Sequence, residues 1–152
     1  MLVCLSHRIL RAGLRCALPS ASYSTESINY CRNLVRDKDY DAYLSCLLFP
    51  EPHRDACFSI LAFNQEMQSI RHQCNNNSMA GRMRFQWWRS LLEDIYIHAA
   101  GASGGNRTGQ ALSQHPVVEV LSESVQKYNL TQRWLERLLE VCCSAIYAVP
   151  LL

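Results

Sequence analysis

The side chains of this sequence that could do chemistry are cysteines, histidines and a few arginines, and their spacing restricts what that chemistry is. Eight cysteines stand in 152 residues. Structural zinc sites draw on closely spaced thiolate pairs, yet no C-x-x-C occurs: Cys4, Cys16, Cys31, Cys46, Cys57 and Cys74 are scattered, and Cys142 and Cys143 are adjacent. Buried or incidental thiols in a reducing compartment are the expectation. His72 has only Cys74 nearby and no partner at a ligand spacing, so it reads as a polar surface residue and no metal site is expected. Arg84 is less ordinary. At helical spacing it falls beside Leu91 and Ile95, within an apolar arc, and a buried guanidinium needs an acceptor. That acceptor is either an anionic ligand or an acidic side chain of a neighbouring helix. Arg54 is a weaker candidate of the same kind. Trp87 and Trp88 could stack on an apolar ligand, but Trp88 lies on the core stripe and Trp87 at its edge. The glycine-rich run GASGGNRTGQ, from Gly101 to Gln110, matches neither a Walker A loop nor a dinucleotide fingerprint and reads as a solvated loop. The sequons at Asn76, Asn106 and Asn129 bear on a secreted protein only.

The elements that must position these residues are helical. Ala56, Ile60, Phe63, Met67 and Ile70 recur at spacings of four and three. Phe85, Trp88, Leu92, Ile95 and Tyr96 form a second stripe, with Arg82, Gln86, Arg89 and Glu93 opposite it. Val117, Val120, Leu121, Val125 and Tyr128 form a third, opened by Pro116. Leu135, Leu138, Leu139 and Cys142 form a fourth, with Thr131 placed to cap its start. Between Tyr30 and Phe49 the pattern is short and charged, one or two helices that end before Pro50. The polar run HQCNNNS separates the second helical region from the third. No segment alternates long enough to predict a strand, so the expected fold is all-α.

Charge divides the chain differently. The formal net charge is +2, but Arg8, Arg11 and Arg15 all precede the first acidic residue, Glu26. The remainder carries 12 Lys and Arg against 13 Asp and Glu, a net charge of −1. The body therefore has no basic footprint for nucleic acid. Wound at about 100° per residue, the three arginines share a narrow arc opposite Leu2, Leu5, Ile9, Cys16 and Ala17. An acid-free, Arg-rich amphipathic segment ending in a Ser-rich run is the pattern of a mitochondrial transit peptide, assigned to residues 1–25. Arg11 and Arg15 interrupt any apolar core of a secretory signal, a permanent membrane-surface helix is the other alternative, and nothing later approaches a membrane span.

Two stretches carry a resemblance. FPEPHRDACFSILAFNQEMQSIRHQ, from Phe49 to Gln73, and GRMRFQWWRSLLEDIY, from Gly81 to Tyr96, together resemble the first half of a squalene/phytoene synthase-like domain. In that family a proline and an arginine precede a helix reading roughly A-F-C-R-x-x-D-D-x-x-D, and a later helix carries W-W-R. Arg54, Ala62, Phe63, Trp88 and Arg89 stand at matching positions. The resemblance covers about Ser27 to Glu140, leaving residues 26–140 as the N-terminal part of the domain and 141–152, VCCSAIYAVPLL, as a divergent tail. It implies an isoprenoid-synthase-like helical bundle, cut short before the family's second aspartate-rich helix.

The departure from the active members is as informative as the match. Those enzymes hold Mg²⁺ on aspartates at i, i+1 and i+4 of one helix, because Mg²⁺ demands hard oxygen donors. Aligned on the phenylalanine, these positions fall on Gln68, Ser69 and His72, and none is a carboxylate. Glu66 lies about 60° from Ser69 and about 120° from His72 around a helix, so it does not replace an aspartate pair. No catalytic residue, metal or cofactor is therefore expected. Arg54, Arg84, Trp87 and Arg89 remain as contacts for an anion or a prenyl lipid.

The A-F-N-x-E string at Ala62 to Glu66 and the N-L-T-x-R-W-L string at Asn129 to Leu135 resemble the non-catalytic mitochondrial branch of the family. That branch implies assistance to the assembly of respiratory complex I, at the matrix face of the inner membrane. The implied partners are complex I assembly intermediates or other assembly factors, with peripheral membrane contact. A residual prenyl transferase, a prenyl-lipid-binding protein and a non-functional truncated product are the competing readings. With later helices of the bundle missing, the stripe of Phe85, Trp88, Leu92 and Ile95 is expected to lie in an open apolar groove.

Overall fold

The computed structural model describes residues 23–73, 78–100 and 115–147. The part of the expected transit peptide before Tyr23, the glycine-rich run from Gly101 to Gln110 and the end of the tail lie outside the described residues. Six helices run through the rest: α1 (Thr25–Lys38), α2 (Tyr40–Leu47), α3 (Glu51–Gln73), α4 (Ser78–Ala99), α5 (Pro116–Tyr128) and α6 (Gln132–Tyr147). No strand occurs among the described residues, as the apolar spacing predicts.

Local chemistry sets the helix ends. Ser24 caps α1, its side chain accepting the Ser27 N–H at 3.1 Å. Asp39 closes one helix and opens the next. Its N–H reaches the Val35 carbonyl, and its carboxylate accepts the Ala42 N–H at 3.0 Å. Pro50 and Pro52 separate α2 from the body of α3, as expected. Pro116 stands at the first position of α5, where its missing N–H costs nothing. Asn129 ends that helix at φ 50°, the left-handed conformation that closes helix C-termini. The transit-peptide boundary expected at residue 25 falls inside this scheme, because Ser24 is the cap of α1 and Thr25 its first residue.

The long helix α3 is the axis of the fold and touches every other described helix. Phe58, Ala62, Phe63 and Met67 on it are at most 1% exposed, and full burial of each large side chain contributes about 1.5–3 kcal/mol. Ile28, Cys31 and Val35 of α1 pack against α3 from one side, and Val117, Val120, Leu121 and Val125 of α5 join the same core.

Two expectations are corrected. The stripe Phe85, Trp88, Leu92 and Ile95 is not an open groove: these residues are 3%, 3%, 1% and 0% exposed. Helices α3, α5 and α6 all pack on α4 and cover it. Arg84 is exposed, not buried in the apolar arc. Met79 and Met83 near it are exposed as well, although Gly81 in the same stretch is buried. Helical periodicity gives the side on which Arg84 lies, but not whether another helix reaches that height.

Candidate functional site

The three positions at which the resemblance leads one to expect aspartates share one cleft. Gln68, Ser69 and His72 on α3 line an open cavity of about 640 Å³, with Gln65, Glu66 and Gln73 on the same helix and Tyr30, Leu34 and Lys38 facing them from α1. The i, i+3, i+7 spacing of Glu66, Ser69 and Gln73 puts them in line along α3. Tyr30 donates its hydroxyl to Glu66 Oε1 at 3.0 Å. Partial burial, reinforced by the neighbouring Glu66 charge, pushes the Tyr30 hydroxyl up to about 12, so it remains a donor throughout the physiological range.

At the other end of the row, Gln73 Nε2 donates to Ser69 Oγ at 3.0 Å, and Arg84 Nη1 donates to Gln73 Oε1 at 2.6 Å. Arg84 does find an acceptor. It is a neutral amide at the end of α3, reached by the side chain across the helix junction.

A second group of residues borders this cleft. His115, the residue before Pro116, stands half-buried with its ring edge-on to Trp88 at 5.1 Å, to Trp87 at 5.9 Å and to Tyr30 at 6.3 Å. Phe63 continues the stack, 5.3 Å from Trp88. Burial depresses the His115 pKa below 6.5, and Glu66 pulls it the other way. Its Nδ1 is buried with no hydrogen-bond partner. Helical spacing does not reveal His115, because it lies before α5 and not on its stripe. The available signal is the His–Pro dipeptide at a helix start.

The other sequence candidates lie apart. Arg54 donates from Nε to the Phe49 carbonyl at 2.7 Å and lines a different cleft of about 410 Å³, with Arg32, Tyr43 and Asp55. Arg89 lies at the junction of α4 and α6, in a shallow cavity of about 200 Å³ with Phe85 and Leu139. Trp87 is half-exposed at the edge of the His115 cluster. The structure therefore brings together Gln68, Ser69 and His72, and Arg84 through Gln73, but not Arg54 or Arg89.

The donor set of the cleft does not fit Mg²⁺. Its lining offers amides, two hydroxyls, an imidazole, the Lys38 ammonium and one carboxylate, and that carboxylate already accepts the Tyr30 hydrogen bond. Among the described residues no group of three His, Cys, Asp or Glu side chains is arranged to hold a metal ion. No described helix is long and apolar enough to cross a membrane.

A family model described as squalene/phytoene synthase matches residues 35–151. The chain is 32% identical over 112 residues to a Homo sapiens protein named NADH dehydrogenase (ubiquinone) complex I, assembly factor 6, covering 74% of this chain and 30% of that one. The Bos taurus protein of that name is 34% identical over 111 residues, covering 73% of this chain and 29% of its own length. A Drosophila melanogaster homologue is 27% identical over 109 residues, 72% of this chain and 30% of the relative. The chain thus spans about 30% of the length of the curated relatives it matches. No solved structure matches it.

Proposed function

The chain belongs to the squalene/phytoene synthase family, and from that premise we propose that it is a non-catalytic assembly factor for mitochondrial respiratory complex I. The observation that carries the reading is the cleft itself. Gln68, Ser69 and His72, the positions that the resemblance assigns to the family's aspartates, line one cleft on α3, and Glu66 beside them is bonded to Tyr30. Without paired carboxylates there is no seat for the metal that supports departure of a diphosphate. The names of the relatives support the assembly role.

The protein acts on the matrix side of the inner membrane, delivered there by the Arg-rich segment that precedes Tyr23. It works by contact with complex I assembly intermediates or with other assembly factors. A prenyl-lipid-binding role has less support, since Leu34 is the only aliphatic side chain among the described residues lining the cleft.

Depletion of the full-length protein from cells tests the reading. Assembled complex I, resolved on native gels, falls and returns on re-expression. Unchanged complex I after complete depletion overturns the proposal.

A further inference from the structure

The first described residues are tied to the fold by side chains from two distant helices. The Tyr23 N–H donates to Glu123 Oε2 at 3.1 Å, and the Ser24 N–H donates to Glu119 Oε1 at 2.8 Å, both acceptors on α5. Ser27 Oγ adds a 2.5 Å bond to the other oxygen of Glu119. The Tyr23 ring packs against the core, and its hydroxyl donates to Asp55 Oδ2 on α3 at 2.6 Å. Arg32 holds the other Asp55 oxygen at 2.6 Å. Ser24 then caps α1.

These contacts bear on the maturation of an imported protein. Removing a leader through residue 25 would strip the cap from α1, leave Asp55 without its tyrosine and take a packed aromatic ring off the core. Each of these losses destabilises a helix that packs on α3 and α5. We propose that the mature chain begins no later than Tyr23, and that Glu119, Glu123 and Asp55 form the seat that holds its N-terminal segment. The cut is hydrolysis of one peptide bond by a peptidase of the import machinery. Water is added across the bond, the leader leaves with a new carboxylate, and the mature chain keeps a new α-ammonium. Tyr23 and Ser24 stay on the mature side, and α1 keeps its cap.

This inference rests on the reading of residues before Tyr23 as a cleaved mitochondrial leader, so two readouts are taken on one full-length protein expressed with a C-terminal tag. Fractionation reports the compartment, and mass spectrometry of the N-terminal peptide reports the cut. A mitochondrial protein with a processed N-terminus at Tyr23 or before it supports the inference. An N-terminus at Ser24 or later overturns it and leaves the mitochondrial reading standing. An uncut protein overturns it, and a protein outside mitochondria overturns both. As a second measurement, Tyr23→Ala and the milder Tyr23→Phe are imported and the mature proteins melted. Both lower Tm, Tyr23→Ala by more, with the N-terminal peptide read in each case. A Tm unchanged by both substitutions shows that Tyr23 is absent from the mature fold, and overturns the inference.

Discussion

Tyr30 on α1 and Glu66 on α3 meet through a 3.0 Å hydrogen bond. It commits an oxygen of the only carboxylate among the described residues lining the α1–α3 cleft. The bond explains how a cleft without paired carboxylates keeps its remaining one satisfied: the acceptor is used by the fold. Tyr30→Phe is expected to lower stability by about 0.5–1.5 kcal/mol, the net value of an ordinary hydrogen bond. The bond is exposed to solvent, so a value near the lower end is expected. Urea denaturation of variant and parent measures it, and a loss well above this range would show that the hydroxyl carries more than one ordinary hydrogen bond.

Phe63 is fully buried on the axial helix and meets Trp88 edge-on at 5.3 Å. Phe63→Ala leaves a cavity between α3 and α4 and is expected to cost about 3–5 kcal/mol. The same truncation at Trp134, which is 64% exposed, is expected to cost about 0.5 kcal/mol or less. Chemical denaturation of the two variants side by side checks the contrast.

Asn129 holds φ at 50°, a conformation costly for branched side chains and easy for glycine. Asn129→Gly should therefore be tolerated, while Asn129→Val is expected to lose about 1–2 kcal/mol. Thermal melting separates the two outcomes. The same finding gives a physical reason for the asparagine in the N-L-T-x-R-W-L string: it turns the chain between α5 and α6.

His115 gives the fold an acid-sensitive contact. Burial depresses its pKa below 6.5, so the folded state binds this proton less readily than the unfolded chain. Its contribution to stability is then full above about pH 6.5 and is lost as pH falls from there through the folded-state pKa. Unfolding measured from pH 7.5 down to 5 should show this decline, and His115→Gln should flatten it. An unaltered pH profile in the variant would assign the decline to other groups.

Most of the helical fold is legible in the sequence because burial follows the helical period wherever a neighbouring helix covers the stripe. Phe63, Met67, Trp88, Leu92, Val120 and Leu139 all lie in the core. What periodicity does not carry is the reach of the neighbours. Arg84 shares a face with Leu91 and Ile95, but it lies near the start of α4 beside exposed methionines, and its guanidinium reaches Gln73 instead. The same limit hides the seat of Tyr23, whose partners Asp55 and Glu123 lie 32 and 100 residues away. His115 is missed because its surroundings come from α1 and α4, not from its own helix. The covered stripe of α4 depends on how α5 and α6 return over it, which pairwise spacing within α4 does not contain.

The leader can be tested apart from the fold. A reporter joined to residues 1–27 is expected to enter mitochondria, and Arg8, Arg11 and Arg15 changed together to Glu should prevent entry. Microscopy or fractionation decides it, and cytosolic retention of the unmutated fusion contradicts the compartment proposed above.

The central claim is that this family member has exchanged prenyl transfer for a role in assembly. Its most direct test is an assay of the purified full-length protein with farnesyl and geranylgeranyl diphosphates, following pyrophosphate release with and without Mg²⁺. The cleft of Gln68, Ser69, His72 and a tyrosine-bound Glu66 predicts release at background in both conditions. Turnover that appears on addition of Mg²⁺ would contradict it.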